Sequence, residues 1–305
     1  MNDDAPPHRR ATSGLALGVL AMALFGATLP VTRLATGTDA APALSPWFVT
    51  FGRLVVAAVP SALLLLLTRS PWPDRAQVRA LVIAALGNAI VYPLSLAFAL
   101  RVVGAPHVAV ITAGLPLATA ICAALALRQP QRRAFWVWAA ATAGLLALHA
   151  AGRAGEPGEA LVPAWADALV LLGVLGASVG YVQGAALTRS LGAERTICWV
   201  VLCTLPVALP VAVWTWPQTP VPDTAWVAFG YVSLVSMWAA FFAWYRALDW
   251  GGPVRVSQVQ ALQPFFAIAL SVPLLGDVVD AWTMGCAVAV IAFVGLAQRS
   301  AGTGR

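Results

Sequence analysis

The sequence contains no lysine, and charged residues of any kind are scarce: 10% of the 305 residues, against 60% that are hydrophobic. A soluble globular domain has about 25% charged and roughly 45–50% apolar residues, so a water-soluble fold is not expected. The 18 basic residues are all arginine and lie scattered between apolar runs. Because nucleic-acid binding needs clustered basic residues, no nucleic-acid partner is expected despite the net charge of +6. The composition instead indicates a protein of the lipid bilayer.

Few residues with catalytic or metal-binding chemistry are present. The chain has 4 cysteines and 3 histidines, no CxxC, GxSxG or HExxH motif, and no Asp or Glu near the middle of an apolar run. Cysteines within apolar runs are expected to be small buried side chains: Cys122, Cys198, Cys203 and Cys286. His107 and His149 lie at run ends, where we expect them to be hydrated. No catalytic residue, metal site or cofactor is predicted, and a membrane-embedded enzyme is a distant alternative.

Long apolar runs are what the sequence has in abundance. A helix needs about 20 apolar residues to cross the roughly 30 Å hydrocarbon core, and ten runs approach that length. They cover residues 14–35, 45–67, 80–100, 106–127, 134–150, 166–187, 196–214, 225–248, 254–275 and 281–298. They lack the alternation of barrel strands, and only helices satisfy their own backbone in lipid. The predicted fold class is all-α integral membrane, with ten transmembrane helices.

Arginine placement predicts the orientation of these helices. If the N-terminus is cytoplasmic, 14 arginines lie at cytoplasmic ends or loops and three, Arg33, Arg101 and Arg153, at outer ends, while Arg53 lies within a span. This bias is the positive-inside pattern. The cytoplasmic set is Arg9, Arg10, Arg69, Arg75, Arg79, Arg128, Arg132, Arg133, Arg189, Arg195, Arg246, Arg255, Arg299 and Arg305. Both termini are therefore predicted to be cytoplasmic.

Two stretches of the chain share one plan, 97–116 (AFALRVVGAPHVAVITAGLP) and 245–264 (YRALDWGGPVRVSQVQALQP), which lie 148 positions apart. Each reads as an apolar helix end, a tight Gly/Pro turn and a second apolar helix with a proline about three turns in. Five helices per repeat is an odd number, so the two halves run through the membrane in opposite senses. The predicted organisation is a cytoplasmic tail (1–13), a first repeat (14–150), a periplasmic linker (151–165), a second, inverted repeat (166–298) and a cytoplasmic tail (299–305).

Three glycines recur every four residues in the sixth run: Gly176, Gly180 and Gly184. Small residues at this spacing allow two helices to touch in lipid, where no hydrophobic drive brings them together. They predict a close helix contact along this side of the sixth helix.

Together these features resemble the EamA-like drug/metabolite transporter superfamily. The resemblance rests on the two five-helix halves, on the helix-end motifs FALRVVGAP and YRALDWGGP, and on Phe51, Gly52 and Arg53, which are similar to an arginine signature in the family's second helix. It covers about residues 14–298. It implies a transporter, and more specifically an exporter, of small organic metabolites such as amino acids, working by alternating access. A multidrug or toxic-compound exporter is the alternative, and a non-transporting membrane scaffold is a more distant one.

Transporters built from inverted repeats bind substrate near the membrane midplane, beside broken helices. Pro116 and Pro264 fall near the middle of their runs, and each frees the carbonyl about one turn earlier. Those carbonyls lie near Thr112 and Gln260, which occupy matching positions in the two repeats. Ser257, Gln260 and Gln263 of the ninth helix are three residues apart and can share one face. The cavity candidates selected in this way are Thr112, Ser257, Gln260 and Gln263.

Arg53 lies near the centre of the second run, where a charge costs at least about 2.5 kcal/mol. It is therefore expected to face a cavity, freed backbone carbonyls or a ligand anion. Capping of carbonyls is the structural interpretation, and clamping of a substrate carboxylate is the functional one. Further polar or aromatic cavity candidates lie away from the interfaces: Asn88, Tyr92, Tyr181, Gln183 and Trp238.

Arginine in place of lysine, together with abundant alanine, is typical of a GC-rich bacterial source. The predicted localisation is the bacterial inner membrane, with multiple passes. The expected partners are lipid and a small-molecule substrate, and the chain is expected to be a monomer or homodimer. The sequence leaves substrate identity, transport direction and energy coupling open.

The orientation is tested by labelling single cysteines, introduced near Glu156 and near Arg132, with a membrane-impermeant reagent in intact cells. We expect the first site to react and the second to react only after lysis. The reverse result would overturn the orientation.

Overall fold

The computed structural model describes residues 7–126, 131–152, 164–251 and 257–300. Apart from one isolated β-bridge, the regular secondary structure in these residues is helical. Ten spans follow one another along the chain. Their bounds are Pro7–Gly26 with Thr28–Thr36 (first), Pro46–Leu67 (second), Arg75–Ala84, Ala85–Val91 and Tyr92–Ala99 (third), Ala105–Thr112 with Leu115–Ala126 (fourth), Arg133–Gly152 (fifth), Ala164–Leu191 (sixth), Ala193–Trp214 (seventh), Asp223–Gly230, Tyr231–Ala239 and Ala240–Gly251 (eighth), Ser257–Leu262 with Gln263–Leu275 (ninth) and Ala281–Ser300 (tenth).

Nine of these spans are long and apolar enough to cross a membrane, and the ninth contributes a shorter apolar stretch, Val259–Leu275, in the described part of the chain. The residues just before it, 252–256, lie outside the described residues, as does most of the predicted linker 151–165. The predicted all-α fold with ten membrane helices is confirmed. Because the number of spans is even, the start of the first span and the end of the tenth lie at the same end of the bundle, which we call the terminal face; the other end is the opposite face.

Helix irregularities recur at matching places in the two halves. The third span contains a π-helix at Ala85–Val91 and the eighth contains one at Tyr231–Ala239. Shifted by the 148 residues of the repeat, the first π-helix covers 233–239, which lies within the second. The fourth span is interrupted between Thr112 and Leu115, and the ninth changes from a 3₁₀-helix to an α-helix at Gln263, the matching position. These shared irregularities show the repeat in the backbone itself.

Proline and glycine explain the break in the fourth span. Pro116 has no N–H to donate to the carbonyl of Thr112, and Gly114 is a poor helix former. Across the break, two backbone hydrogen bonds span three residues instead of the four of an α-helix. The Gly114 N–H donates to the Ile111 carbonyl at 3.1 Å, and the Leu117 N–H donates to the Gly114 carbonyl at 3.1 Å. The predicted helix breaks at Pro116 and Pro264 therefore coincide with real changes of helix geometry.

The first span also breaks, at Ala27, where a turn separates its two helices. Two side chains of the eighth span support this break. The Tyr231 hydroxyl donates to the Leu24 carbonyl at 2.8 Å, and the hydroxyls of Thr28 and Ser236 lie 2.8 Å apart. The loosened turn thus finds hydrogen bonds within the protein, as the lipid interior requires.

The third and sixth spans touch backbone to backbone at glycines. A Cβ atom added to Gly87 would lie 2.2 Å from the Gly176 carbonyl oxygen, and one added to Gly180 would lie 2.7 Å from the Asn88 side chain. The predicted close contact is confirmed at Gly176 and Gly180. It is wrong for Gly184, which has no atom within 4 Å of where its Cβ would stand.

Gly87→Ala should force these two spans apart and destabilise the protein by about 1–3 kcal/mol, the usual range for overpacking. Gly184→Ala on the facing span is the matched control and should leave the thermal midpoint unchanged or slightly raised, since alanine favours helix. Thermal unfolding of both variants in detergent measures the difference. Equal midpoints for the two would show that the Gly87 contact carries no stability.

Candidate functional site

A cavity of about 170 Å³ lies where the first, third, fourth, ninth and tenth spans meet. Most of its lining is apolar, with a few amide, hydroxyl and phenol groups. The lining residues are Phe25, Gly26, Leu29, Tyr92, Thr112, Ala113, Leu115, Pro116, Gln260, Ala261, Gln263, Pro264, Ala267, Ile291, Val294, Gly295 and Gln298. The cavity therefore draws on both halves of the chain.

The cavity lies at the helix breaks. Gly26 ends the first helix of its span, Tyr92 follows the π-helix of the third, and Ala113 lies in the gap of the fourth. Gln263 marks the change of geometry in the ninth span. Four of the five spans around the cavity are thus irregular at the level of the cavity, which is where broken helices leave backbone groups free for a ligand.

Two amides form the polar edge predicted from the sequence. Gln260 and Gln263 both line the cavity, both are half-buried, and neither side chain makes a hydrogen bond within the described residues. The Thr112 hydroxyl donates to its own helix, to the Val108 carbonyl at 2.9 Å or the Ala109 carbonyl at 3.1 Å, and keeps lone pairs free to accept. The cavity therefore offers both donors and acceptors to a polar ligand.

Tyr92 connects this cavity to Arg53. Tyr92 lines the cavity, and Arg53 on the second span lies within electrostatic range of it. Tyr181 of the sixth span lies in turn within range of Tyr92. Tyr92 thus interacts with both Arg53 and Tyr181, although Arg53 and Tyr181 do not line the cavity itself.

The guanidinium of Arg53 is buried, with 6% of the residue exposed. Its Nε has no hydrogen-bond partner, and the described residues give it neither an ion pair nor a carbonyl acceptor. One turn earlier on the same helix, the Thr50 hydroxyl is also buried and unpartnered. The structural interpretation, in which Arg53 caps freed carbonyls, is therefore not supported by the contacts that the structure describes. Among the described residues, Arg53 is a buried cation without an anion.

Asn88 serves the contact between the third and sixth spans. With its amide placed to satisfy both groups, Nδ2 donates to the Ala177 carbonyl at 3.0 Å and Oδ1 accepts from the Tyr181 N–H at 3.3 Å. These bonds explain why Gly180 has to be small: its Cα approaches the same amide. Asn88 therefore contributes to helix packing, and its amide also holds the Tyr181 backbone in place.

Two further candidates, Gln183 and Trp238, are not among the lining residues. Gln183 is half-buried on the sixth span. Trp238 packs against Phe242 with ring centroids 4.5 Å apart, and its buried indole N–H lies beside the Cys198 thiol. Ser257 begins the 3₁₀-helix of the ninth span, but its side chain lies outside the described residues. The cavity thus collects Tyr92, Thr112, Gln260 and Gln263 with the two prolines.

Sequence reasoning missed the contribution of the first and tenth spans. Gly26 approaches the ninth span so closely that an added Cβ would lie 2.5 Å from the Phe266 Cβ. Gln298, near the end of the tenth span, is exposed and extends the cavity to the terminal face. Gly26 in the first apolar run was the signal that could have indicated the first span, and nothing in the sequence indicates that the tenth span lines the cavity.

At the opposite face, polar contacts join the spans that surround the cavity. Arg33 Nη1 donates to the Val103 carbonyl at 2.7 Å, and Arg101 Nε lies 3.0 Å from the Asp39 carboxylate. At the terminal face the polar contacts among described residues join other spans, as in the hydrogen bond from Gln77 to Ser190. The cavity is therefore closed toward the opposite face and reaches the terminal face.

The expectation that His107 and His149 are hydrated is wrong. Both are fully buried, and their rings stack with centroids 4.7 Å apart. His107 Nε2 lies 2.7 Å from the Asp167 carboxylate, which gives the buried ring a hydrogen-bond partner. Within the described residues no group of three His, Cys, Asp or Glu side chains is arranged to hold a metal ion.

Repeated five-span halves with a cavity at their helix breaks are typical of secondary transporters. The family comparison makes this specific: the chain matches the EamA-like transporter family over residues 12–149 and 164–298, and it belongs to that family. It is 34% identical over 296 residues to the "Uncharacterized transporter YdeK" of Bacillus subtilis (strain 168), covering 96% of this chain and 99% of that one.

The fold also has a counterpart among solved structures. A chain described as "Crystal structure of protein" aligns with a TM-score of 0.61 and 16% sequence identity, covering 95% of this chain and 99% of that one. At this identity the likeness shows a shared fold and nothing about substrate. Membership of the EamA-like transporter family, together with the membrane spans, makes the protein a multi-pass membrane transporter.

Proposed function

We propose that this transporter exports small organic metabolites that carry a carboxylate, such as amino acids, across the bacterial inner membrane by alternating access. The observation that carries the proposal is Arg53, a buried cation without an anion, which lies within electrostatic range of the cavity residue Tyr92. A lone charge at this depth costs at least about 2.5 kcal/mol, and a ligand carboxylate offsets that cost.

The size of the cavity favours a metabolite over a drug. Pockets that hold drug-sized ligands have volumes of about 300–1,000 Å³. The cavity here has about 170 Å³ and two amides free for hydrogen bonds, Gln260 and Gln263. A small zwitterion would place its carboxylate toward Arg53 and its polar remainder against these amides.

The state of the cavity suits the loading step of an exporter. If the termini are cytoplasmic, as the arginine bias predicts, the terminal face is the cytoplasmic face. The cavity reaches that face at Gln298, while polar contacts such as the ion pair of Arg101 and Asp39 hold the opposite face closed. Substrate would enter from the cytoplasm, and opening of the opposite face would release it outside.

The substrate class is tested by thermal stabilisation of the purified protein with amino acids, organic acids and cationic drugs. We expect a carboxylate compound to stabilise it, by about 2.7 kcal/mol at 100 times its Kd. Arg53→Gln should abolish this effect and should not lower the stability of the ligand-free protein, because the variant removes an unpaired buried charge. Arg246→Gln, at an exposed ion pair 3.6 Å from Glu194, is the matched control and should retain the effect.

Two outcomes contradict the proposal. Stabilisation by cationic drugs alone would make the multidrug exporter the better description. Full stabilisation by a carboxylate compound in Arg53→Gln would keep the substrate class but remove Arg53 from its recognition.

A further inference from the structure

A buried cluster of titratable groups lies at the opposite face, apart from the substrate cavity. It consists of His107 at the start of the fourth span, His149 near the end of the fifth and Asp167 at the start of the sixth. The two histidines are fully buried, and the Asp167 side chain is 14% exposed. Asp167 thus connects an otherwise enclosed cluster to the solution at that face.

The cluster joins the two repeats. His107 belongs to the first half and Asp167 to the second, and the 2.7 Å contact between Nε2 and the carboxylate bridges them. The fourth span also borders the substrate cavity, through Thr112 and Pro116. Opening the opposite face around the cavity would require these halves to separate there, so the bridge lies where a closing contact is needed.

The histidine pair has a vacant site for one proton. With Nε2–H donated to Asp167, neutral His107 keeps a lone pair on Nδ1, and that atom is buried without a hydrogen-bond partner. A proton taken up there from solution would turn the contact into a charge-assisted pair, which is shorter and stronger than a neutral one. A second proton on His149 would face an imidazolium 4.7 Å away, so repulsion between the rings disfavours a second proton relative to the first.

Other charged groups lie at this end of the bundle. The first span contributes Arg33, which donates to the Val103 carbonyl, and the tenth is preceded by Asp280, which accepts from the Thr283 N–H. Arg101 pairs with Asp39, and Asp277 follows the ninth span. Asp167 is the carboxylate in contact with His107.

We propose that His107, His149 and Asp167 form a proton-binding site that faces the solution at the opposite face, and that one bound proton holds that face closed. Loss of the proton weakens the bridge between the repeats and favours opening. The role assigned to this site rests on the proposed alternating-access transport. A low pH at the opposite face would therefore favour closure of that face after substrate release. The transporter would then return to the conformation in which substrate enters from the terminal face.

Proton binding is measured by NMR of ¹⁵N-histidine in the full-length protein in nanodiscs, with His8→Gln leaving only the rings of His107 and His149. We expect the two rings together to take up one proton as the pH is lowered. Asp167→Asn should weaken that binding roughly tenfold or more, the effect of removing an adjacent opposite charge. Independent uptake of two protons, or no effect of Asp167→Asn, would overturn the proposal.

Closure is measured by the alkylation rate of Val170→Cys in a variant whose native cysteines are replaced by alanine. Val170 lies one turn inside Asp167 and is fully buried. Trp165→Cys, on the same helix at a position 48% exposed, corrects for the pH dependence of thiol reactivity. The corrected rate should be at least several-fold lower at pH 6 than at pH 8. Asp167→Asn should remove this dependence, as should His107→Gln, which keeps a polar contact but takes no proton.

A corrected rate that does not change with pH in the otherwise native protein would overturn the proposal. Neither measurement needs a substrate, so the two proposals fail separately. Carboxylate binding without a pH response would refute the proton site alone, and a pH response without carboxylate binding would refute the substrate class alone.

Discussion

The structure depends on one constraint: in lipid, every backbone N–H and carbonyl must find a partner within the protein. A regular helix meets this constraint alone, so an interrupted helix is stable only where other groups replace its lost bonds. The break in the first span is supported by hydroxyls of the eighth, Tyr231 and Ser236. The breaks of the first, third, fourth and ninth spans all lie around one cavity, which the Gln260 and Gln263 amides also line. The proposed binding site thus lies where regular helix is interrupted.

The same constraint gives Arg53 its meaning. A buried guanidinium in a membrane normally pairs with a carboxylate or with carbonyls. Here it has neither within the described residues, while the ion pairs that do form lie at the two ends of the bundle. Nearer the middle, hydroxyl contacts such as that of Thr28 with Ser236 join the spans, and Arg53 stands apart from them as a buried charge without such a contact among the described residues.

Much of this could be predicted from the sequence because membrane length and arginine placement are strong signals. The spans, the repeat and the breaks at Pro116 and Pro264 follow from run lengths and from proline chemistry. Proline alone was not sufficient, since Pro60, Pro206 and Pro210 lie inside unbroken helices.

What the sequence could not supply were contacts between distant segments. The packing role of Asn88 depends on the glycines of the sixth span, and the burial of His107 depends on Asp167, 60 residues away. Both contacts are set by how the third and fourth spans meet the sixth. No local pattern records that arrangement.

If the cavity at the helix breaks is the transport site, it opens to each face in turn. The most direct test is Gln260→Cys in a protein without its native cysteines, treated with an impermeant thiol reagent on either side of sealed vesicles. Modification from both faces is expected, with bound carboxylate substrate altering the two rates in opposite directions. Modification from one face only, whatever ligand is present, would contradict it.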